Sequence, residues 1–446
     1  VFTTLKDKSL HYQVFALALP MVLSNITVPL LGLIDAAVIG HLDQSWYLGG
    51  VAVGGTMINV TLWLLGFLRM ATTGVTAQAQ GSDNKDAQAI IFVQGMALAW
   101  LLGAVLVVFH YPVSQLIFHF SSAGSEVKLY ANQYFSTRIW GAPAALANFV
   151  IMGWLLGMQN AKLPMWLLIV TNVVNILLDL VFVLGLGWKV QGAAAASVIA
   201  DYSGMVLGLW FVAQQWLRLG LPPLKQKLTS IRYGIGRLLK LNRDIFLRSL
   251  CLQATFTFMT FQGAHLGDNV VAANAVLMSF LMLVSYAMDG FAYAMEALVG
   301  KAIGAGNKGQ LERYLVGTTF WSLLISLGLT VIFAVFGTQI VAMISDIPAV
   351  QQQADNYLPW LTAVPLVAMW CFLLDGVFIG ATRGKDMRNS MFLATSGFFV
   401  IWWSMSSYGN HALWAAMVGF MALRGAILAV IFISQWRKNI FLPHTL

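Results

Sequence analysis

The sequence predicts an all-α polytopic membrane protein: twelve transmembrane helices in two six-helix bundles related by pseudo-two-fold symmetry about the membrane normal. Three observations predict it. Hydrophobic residues make up 59% of the 446 and charged residues only 9%, with a mean hydropathy of +0.77, whereas an ordinary soluble domain is about 25% charged. The chain breaks into apolar runs near or above the roughly 20 residues that a helix needs to cross the hydrocarbon. Motifs of its first half also recur in its second half at a fixed offset.

The spans follow in order along the chain. The first, 13 to 41, is apolar apart from Asp35 and contains Pro20 and Pro29. The second, 49 to 80, ends at the polar turn QGSDNK. The third is 90 to 113, and the fourth, 127 to 157, ends at GMQNAK. The fifth, 164 to 187, carries Asn175 and Asp179 and stops at a glycine pair before Trp188. The sixth, 192 to 217, opens on a small-residue run and leads into a basic stretch. In the second half the spans are 243 to 266, 271 to 304, 313 to 340, 354 to 382, 388 to 408 and 412 to 436, with breaks at HLGDN, GAGNK, ATRGKD and SYGN among others. Ten-residue strands with polar lumen faces are absent from the pattern, which excludes an outer-membrane barrel. The first apolar run is longer than a signal-peptide core and merges into the next, so no cleaved leader is expected.

Counting alternately from the N-terminus, the Lys and Arg of the loops and span ends number nineteen on one side, and only Lys128 and Lys189 fall on the other. By the positive-inside rule both termini are expected in the cytoplasm, with the chain multi-pass in a bacterial inner membrane. The net charge of +8 is therefore read as topology, and no nucleic-acid partner is expected. The densest basic stretch, 218 to 243, reads as a cytoplasmic linker beside anionic headgroups. Cys251 and Cys371 lie in apolar stretches without metal-ligand spacing, so no metal site or cofactor is expected.

TAQAQGSDNK (76 to 85) and VGKAIGAGNK (299 to 308) align with Gly81 on Gly304, Asn84 on Asn307 and Lys85 on Lys308, each 223 residues apart. APAALANFVIMGWLLGMQNAK (142 to 162) and VPLVAMWCFLLDGVFIGATRGK (364 to 385) align at the same offset through Gly153 with Gly376 and Gly157 with Gly380. Two regions agreeing on half the chain length indicate duplication. The expected domains are an N-terminal lobe 1–217, the linker 218–243 and a C-terminal lobe 244–446. Six spans per repeat give both lobes one orientation, the plan of a transporter with alternating access. No HExxH, GxSxG or paired-acid enzyme motif is present, so an enzyme is not expected.

Ten charged residues fall inside the spans away from their ends: Asp35, Arg69, Arg138, Asp179, Asp201, Arg248, Asp289, Glu296, Asp375 and Arg424. Each costs roughly 2.5 to 3.5 kcal/mol facing lipid, so they belong in the interior. Asn175 precedes Asp179 by four residues and Ser197 precedes Asp201 by four, so each pair shares a helix face. If spans one, five and six meet, Asp35, Asn175, Asp179, Ser197 and Asp201 form a pocket suited to a coupling ion. Burial penalises a charged carboxylate and entering water relieves that penalty, so uptake and release of H+ would follow conformation. The same oxygens would equally hold Na+, and both stand at this stage. Structural readings stand beside these: Arg138 is a partner for Asp201, Asp289, Glu296, Asp375, Arg248 and Arg424 would neutralise one another in the second half, and Arg69 would be a counter-ion or snorkel. Met-rich clefts accommodate varied apolar cations, and Asn25, Asn148 and Met152 are the candidate lining residues.

LPMVLSNITVPLLGLIDAAVIGHL (19 to 42), NAKLPM, NVVNILLDLVFVLGLGW (172 to 188) and QGAAAASVIADYSG (191 to 204), with twelve spans in two repeats, resemble the MATE multidrug exporters, most closely the DinF-like branch. The likeness covers nearly the whole chain. It implies a secondary antiporter that exports cationic or amphipathic drugs in exchange for H+ or Na+. It places the coupling acids on Asp35 and Asp179, with Asn175 and Ser197 beside them, and the bending point of the first helix on Pro20. Span seven carries Arg248 where the NorM-like branch has a glutamate, which argues against a cation site in the second half. A monomer in contact with membrane lipid is expected. The alternatives are a Na+-coupled exporter, a lipid-linked precursor flippase and a major facilitator; the acidic pocket disfavours the flippase, and QGSDNKDAQ after span two lacks the facilitator's basic motif.

Overall fold

A computed structural model describes residues 1–442. In chain order its α-helices are α1 (Lys8–Gly40), α2 (Ser45–Leu64), α3 (Phe67–Gly81), α4 (Lys85–His119), α5 (Ser125–Arg138), α6 (Ala142–Gly157), α7 (Lys162–Asp179), α8 (Lys189–Leu219) and α9 (Leu224–Leu228). These are followed by α10 (Ile235–Ala264), α11 (Asp268–Gly304), α12 (Lys308–Ile344), α13 (Pro348–Gly380), α14 (Gly384–Ser404) and α15 (Asn410–Arg437). The pairs α2 with α3 and α5 with α6 each form one broken span, so twelve spans result, and no strand occurs among the described residues. Ten of the spans are long and apolar enough to cross a membrane. The other two, α10 and α14, carry several Lys, Arg and Asp residues near their N-termini. The basic linker contains more helix than expected: α9 forms inside it, and α10 begins at Ile235, eight residues before the predicted span. Leu238 and Leu241, both 4% exposed, provide the apolar stripe that extends it.

The chain divides into two compact units, Leu23–Leu238 and Val1–Val22 with Leu239–Leu446. The first part of α1 is therefore grouped with the second half of the sequence, and the change of unit falls two residues after Pro20. In the first unit α3 packs on α6 and α7 on α8; in the second α11 packs on α13 and α14 on α15.

The 223-residue repeat reappears as repeated geometry. Asn84 caps α4 by accepting from the Ala87 amide at 3.0 Å, and Asn307 caps α12 by accepting from the Gln310 amide at 2.9 Å, satisfying an orphan first-turn donor in each case. Asp83 and Gly306 both take a left-handed conformation just before those caps, as do Gln159 and Thr382 after α6 and α13. The repeated glycines provide close helix approach. A Cβ on Gly153 would meet the Arg69 carbonyl at 2.5 Å, and one on Gly376 would meet the Ala292 carbonyl at 2.7 Å. Gly157 and Gly380 do the same against the Thr73 and Glu296 carbonyls, at 2.9 and 2.6 Å. A methyl group there must push backbone from backbone. Gly153→Ala and Gly376→Ala are each expected to cost about 1–3 kcal/mol, read as a lowered midpoint of thermal unfolding in detergent.

Candidate functional site

The site lies in the Leu23–Leu238 unit, where α1, α5, α7 and α8 bring polar side chains together in an otherwise apolar interior. Asp179 is the last residue of α7, and the chain then widens into a π-helical turn over Leu180–Gly185. Such turns interrupt the regular ladder and are frequent at functional positions. Gly187 at φ +68° releases the chain into α8. Gly204 of α8 lies against Thr171 of α7, and the close approach lets Ser197 Oγ donate to Asn175 Oδ1 at 3.3 Å.

Asp35 and Asp179, from α1 and α7, have their carboxyl groups within hydrogen-bonding reach of one another. Asp179 is 1% exposed. Neither of its oxygens receives a hydrogen bond, and neither does the buried Asp35 Oδ1. Two ionised carboxylates in this position are acceptors facing acceptors; a single proton or cation between them turns repulsion into attraction. Asn175 and Ser197, each 6% exposed, lie on the same face one turn along α7 and across on α8. Asp35, Asn175, Asp179 and Ser197 thus lie near one another within one unit.

Asp201 is held differently. Its carboxylate is ion-paired with the Arg138 guanidinium at 2.6 Å, and its backbone carbonyl accepts from Asn148 Nδ2 at 3.0 Å. Helix α8 therefore presents Ser197 to the acid pair and commits Asp201 to α5. Asn148 stands next to Asp201 as a result, with its Oδ1 buried and accepting no hydrogen bond. Met152 is buried one turn further along α6, and Asn25 is half-buried on α1.

Sequence reasoning missed two contributors. Tyr134, 8% exposed, lies within hydrogen-bonding reach of Ser197 and within electrostatic reach of Asp35, Asp179 and Arg138. The signal for it was its spacing: Tyr134 and Arg138 are four apart, so a hydroxyl and a guanidinium share one face of α5. Asn172 Nδ2 donates to Thr27 Oγ1 at 2.7 Å, seven residues before Asp179 and eight before Asp35. The near-equal spacing shows that α1 and α7 run parallel, tied at two levels by polar groups. An apolar cluster that includes Val38, Ile39, Tyr47, Phe135 and Val183 surrounds Tyr134 and keeps that flank dry.

In the other unit both Arg248 and Arg424 engage Asp375. Asp289 lies within electrostatic reach of Arg424. Arg69 is buried, and its backbone lies against Gly153 of α6. Among the described residues no group of three or more His, Cys, Asp or Glu converges as a metal cage.

The profile of one family, MatE, matches residues 20–181 and 245–392. DNA damage-inducible protein F of Escherichia coli is 46% identical over 444 residues, covering 100% of this chain and 96% of its own. A probable multidrug resistance protein, NorM, of Thermotoga maritima is 24% identical, covering 97% and 94%. Among solved structures, a crystal structure of MATE in the straight conformation superposes with a TM-score of 0.83 at 20% identity, covering 98% of this chain and 97% of that one.

Proposed function

We infer the function from one premise: this chain belongs to the MatE family and is a MATE-type multidrug transporter, not an enzyme. On that premise we propose that it exports cationic or amphipathic compounds by antiport against protons, with Asp35 and Asp179 as the exchange site. One observation carries the reading: two carboxyl groups within hydrogen-bonding reach, in a buried place, with three of their oxygens accepting from no protein donor. Asn175 Oδ1 accepts from Ser197 Oγ, so the site offers a carboxyl pair more than the many-oxygen shell that a bare metal cation prefers.

Release follows from exposing the pair. When water reaches it, both carboxylates are solvated and the proton leaves; when the site closes, the charged pair is penalised and a proton is taken up. Helix α1 is the element that would make the change. Pro20 and Pro29 each remove one backbone hydrogen bond from it, and a helix bends where its ladder is already broken. Asp35 sits fifteen residues after Pro20, so bending there displaces its carboxyl from Asp179. Asn148 Oδ1, with Met152 and Asn25, provides an acceptor and a soft apolar wall for a cationic substrate. The basic loops orient the chain with both termini cytoplasmic in a bacterial inner membrane, where it acts as a monomer.

The test uses inverted membrane vesicles with an imposed pH gradient. Adding ethidium is expected to dissipate part of the gradient in vesicles that contain the transporter and not in vesicles without it. Exchange that follows an imposed Na+ gradient and ignores pH would overturn the choice of ion.

A further inference from the structure

The recess beside the basic linker has no part in the exchange site. We propose that it is a binding site for the phosphodiester headgroup of an anionic phospholipid, such as phosphatidylglycerol, from the leaflet that the basic loops face.

The segment is built into the protein rather than left in solvent. Gln94 of α4, 3% exposed, donates from Nε2 to the carbonyls of Ile231 and Tyr233 at 2.9 and 2.6 Å. Lys227 is ion-paired with Asp86 at 2.6 Å, Arg237 donates to Gln78 Oε1 at 2.6 Å, and α9 packs on α4. These contacts hold open a recess of about 460 Å³ lined by Ile90, Thr229, Ser230, Arg232 and Tyr233, within the size range of small-ligand sites.

Its chemistry is that of an anion cradle. Arg232 is exposed and, unlike Lys227 and Arg237, makes neither an ion pair nor a hydrogen bond within the described residues. A guanidinium is the side chain best matched to a phosphate. Ser230 adds a hydroxyl and Tyr233 a phenol. No Asp or Glu occurs between Asp201 and Asp244, whereas Arg218, Lys225, Lys227, Arg232, Arg237, Lys240 and Arg243 fall in that interval, so no acid within the segment competes for the anion.

Depth selects the lipid over a soluble anion. Helix α4 has 35 residues, which makes it about 52 Å long against a hydrocarbon core of about 30 Å. Its first turn carries Lys85 and Asp86, so the part outside the hydrocarbon includes this end at headgroup level, and Ile90 and Gln94 lie in its second and third turns. Trp216, near the end of α8, donates to the Pro222 carbonyl at 2.9 Å, the placement of an interfacial anchor. Leu224, Leu228 and Tyr233 are 49%, 53% and 80% exposed, a combination of apolar and basic groups that suits an acyl boundary more than water.

Native mass spectrometry of the full chain, titrated with phosphatidylglycerol or phosphatidylcholine of the same acyl chains, reads the affinity directly. A site that prefers phosphatidylglycerol is expected, weakened about five-fold by Arg232→Gln and unaffected by an equal concentration of glycerol 3-phosphate. Arg232→Lys should retain most of the preference, and Ser230→Ala should weaken it. Equal binding of the two lipids, or an unchanged affinity in both Arg232→Gln and Ser230→Ala, overturns the site. Displacement by glycerol 3-phosphate or inorganic phosphate overturns the lipid as its occupant. None of these outcomes depends on the coupling ion, because the recess and the acid pair share no residue.

Discussion

Asp179→Asn is expected to reduce ethidium-driven dissipation of the pH gradient to the level of vesicles without the transporter, and Asp35→Asn to do the same. The substitution keeps the shape of the side chain and removes only its ability to exchange a proton. It also supplies an amide donor where the structure places acceptor against acceptor, with both Asp179 oxygens and Asp35 Oδ1 lacking a donor. The fold should therefore survive, with a thermal unfolding midpoint unchanged or raised, while exchange is lost. That combination separates a coupling residue from a structural one, since a structural carboxylate lost to an amide lowers both. Full exchange in both variants would falsify the assignment of the pair. The same pair of variants tests helix α1: with the exchangeable proton gone, the response of its shape around Pro20 to pH should vanish.

Asp375→Asn should lower the unfolding free energy by about 3–5 kcal/mol, because it leaves buried positive charge without its counter-ion. Arg248 and Arg424 are 5% and 3% exposed and Asp375 is 7% exposed. The Arg424 Nη2 to Asp375 Oδ2 distance is 2.8 Å, and Arg248 binds the same oxygen. One carboxylate thus joins α10, α13 and α15. Arg248→Gln in the Asp375→Asn background removes one of the two stranded cations and should recover part of the loss, a coupling that a double-mutant cycle in thermal unfolding reads directly. If the double variant is no more stable than Asp375→Asn, the carboxylate is not acting as their shared counter-ion. Arg248 of span seven and Arg424 both engage Asp375, so the second unit presents an ion network where the first presents an unsatisfied acid pair.

Much of the site was legible because helical spacing carries the information. Asn175 with Asp179, four apart, fall on one face whatever the tertiary arrangement. The cost of a carboxylate in lipid forces Asp35 inward in the same way. Asp201 shows where that logic ends: spacing puts it on the face of Ser197, but its carboxylate is ion-paired with Arg138 of α5. Tyr134 and the Thr27 to Asn172 bridge depend on which helices are neighbours, and hydropathy does not state neighbours.

The sequence by itself determined the membrane class, the twelve spans, the duplication and the inward placement of each charged residue. Those follow from transfer free energy and from periodicity, which are properties of a segment alone. Only the tertiary structure decided which charges meet. It placed Asp35 against Asp179, Asp201 against Arg138 and two arginines on Asp375, and it docked the basic linker onto α4. It also grouped Val1–Val22 with the second half of the chain. The physical reason is the range of the interactions: desolvation acts on each group wherever it is buried, whereas a hydrogen bond or buried ion pair exists only at contact. Contacts between distant parts of a chain are set by packing, here by the repeated glycines that let α3 approach α6 and α11 approach α13.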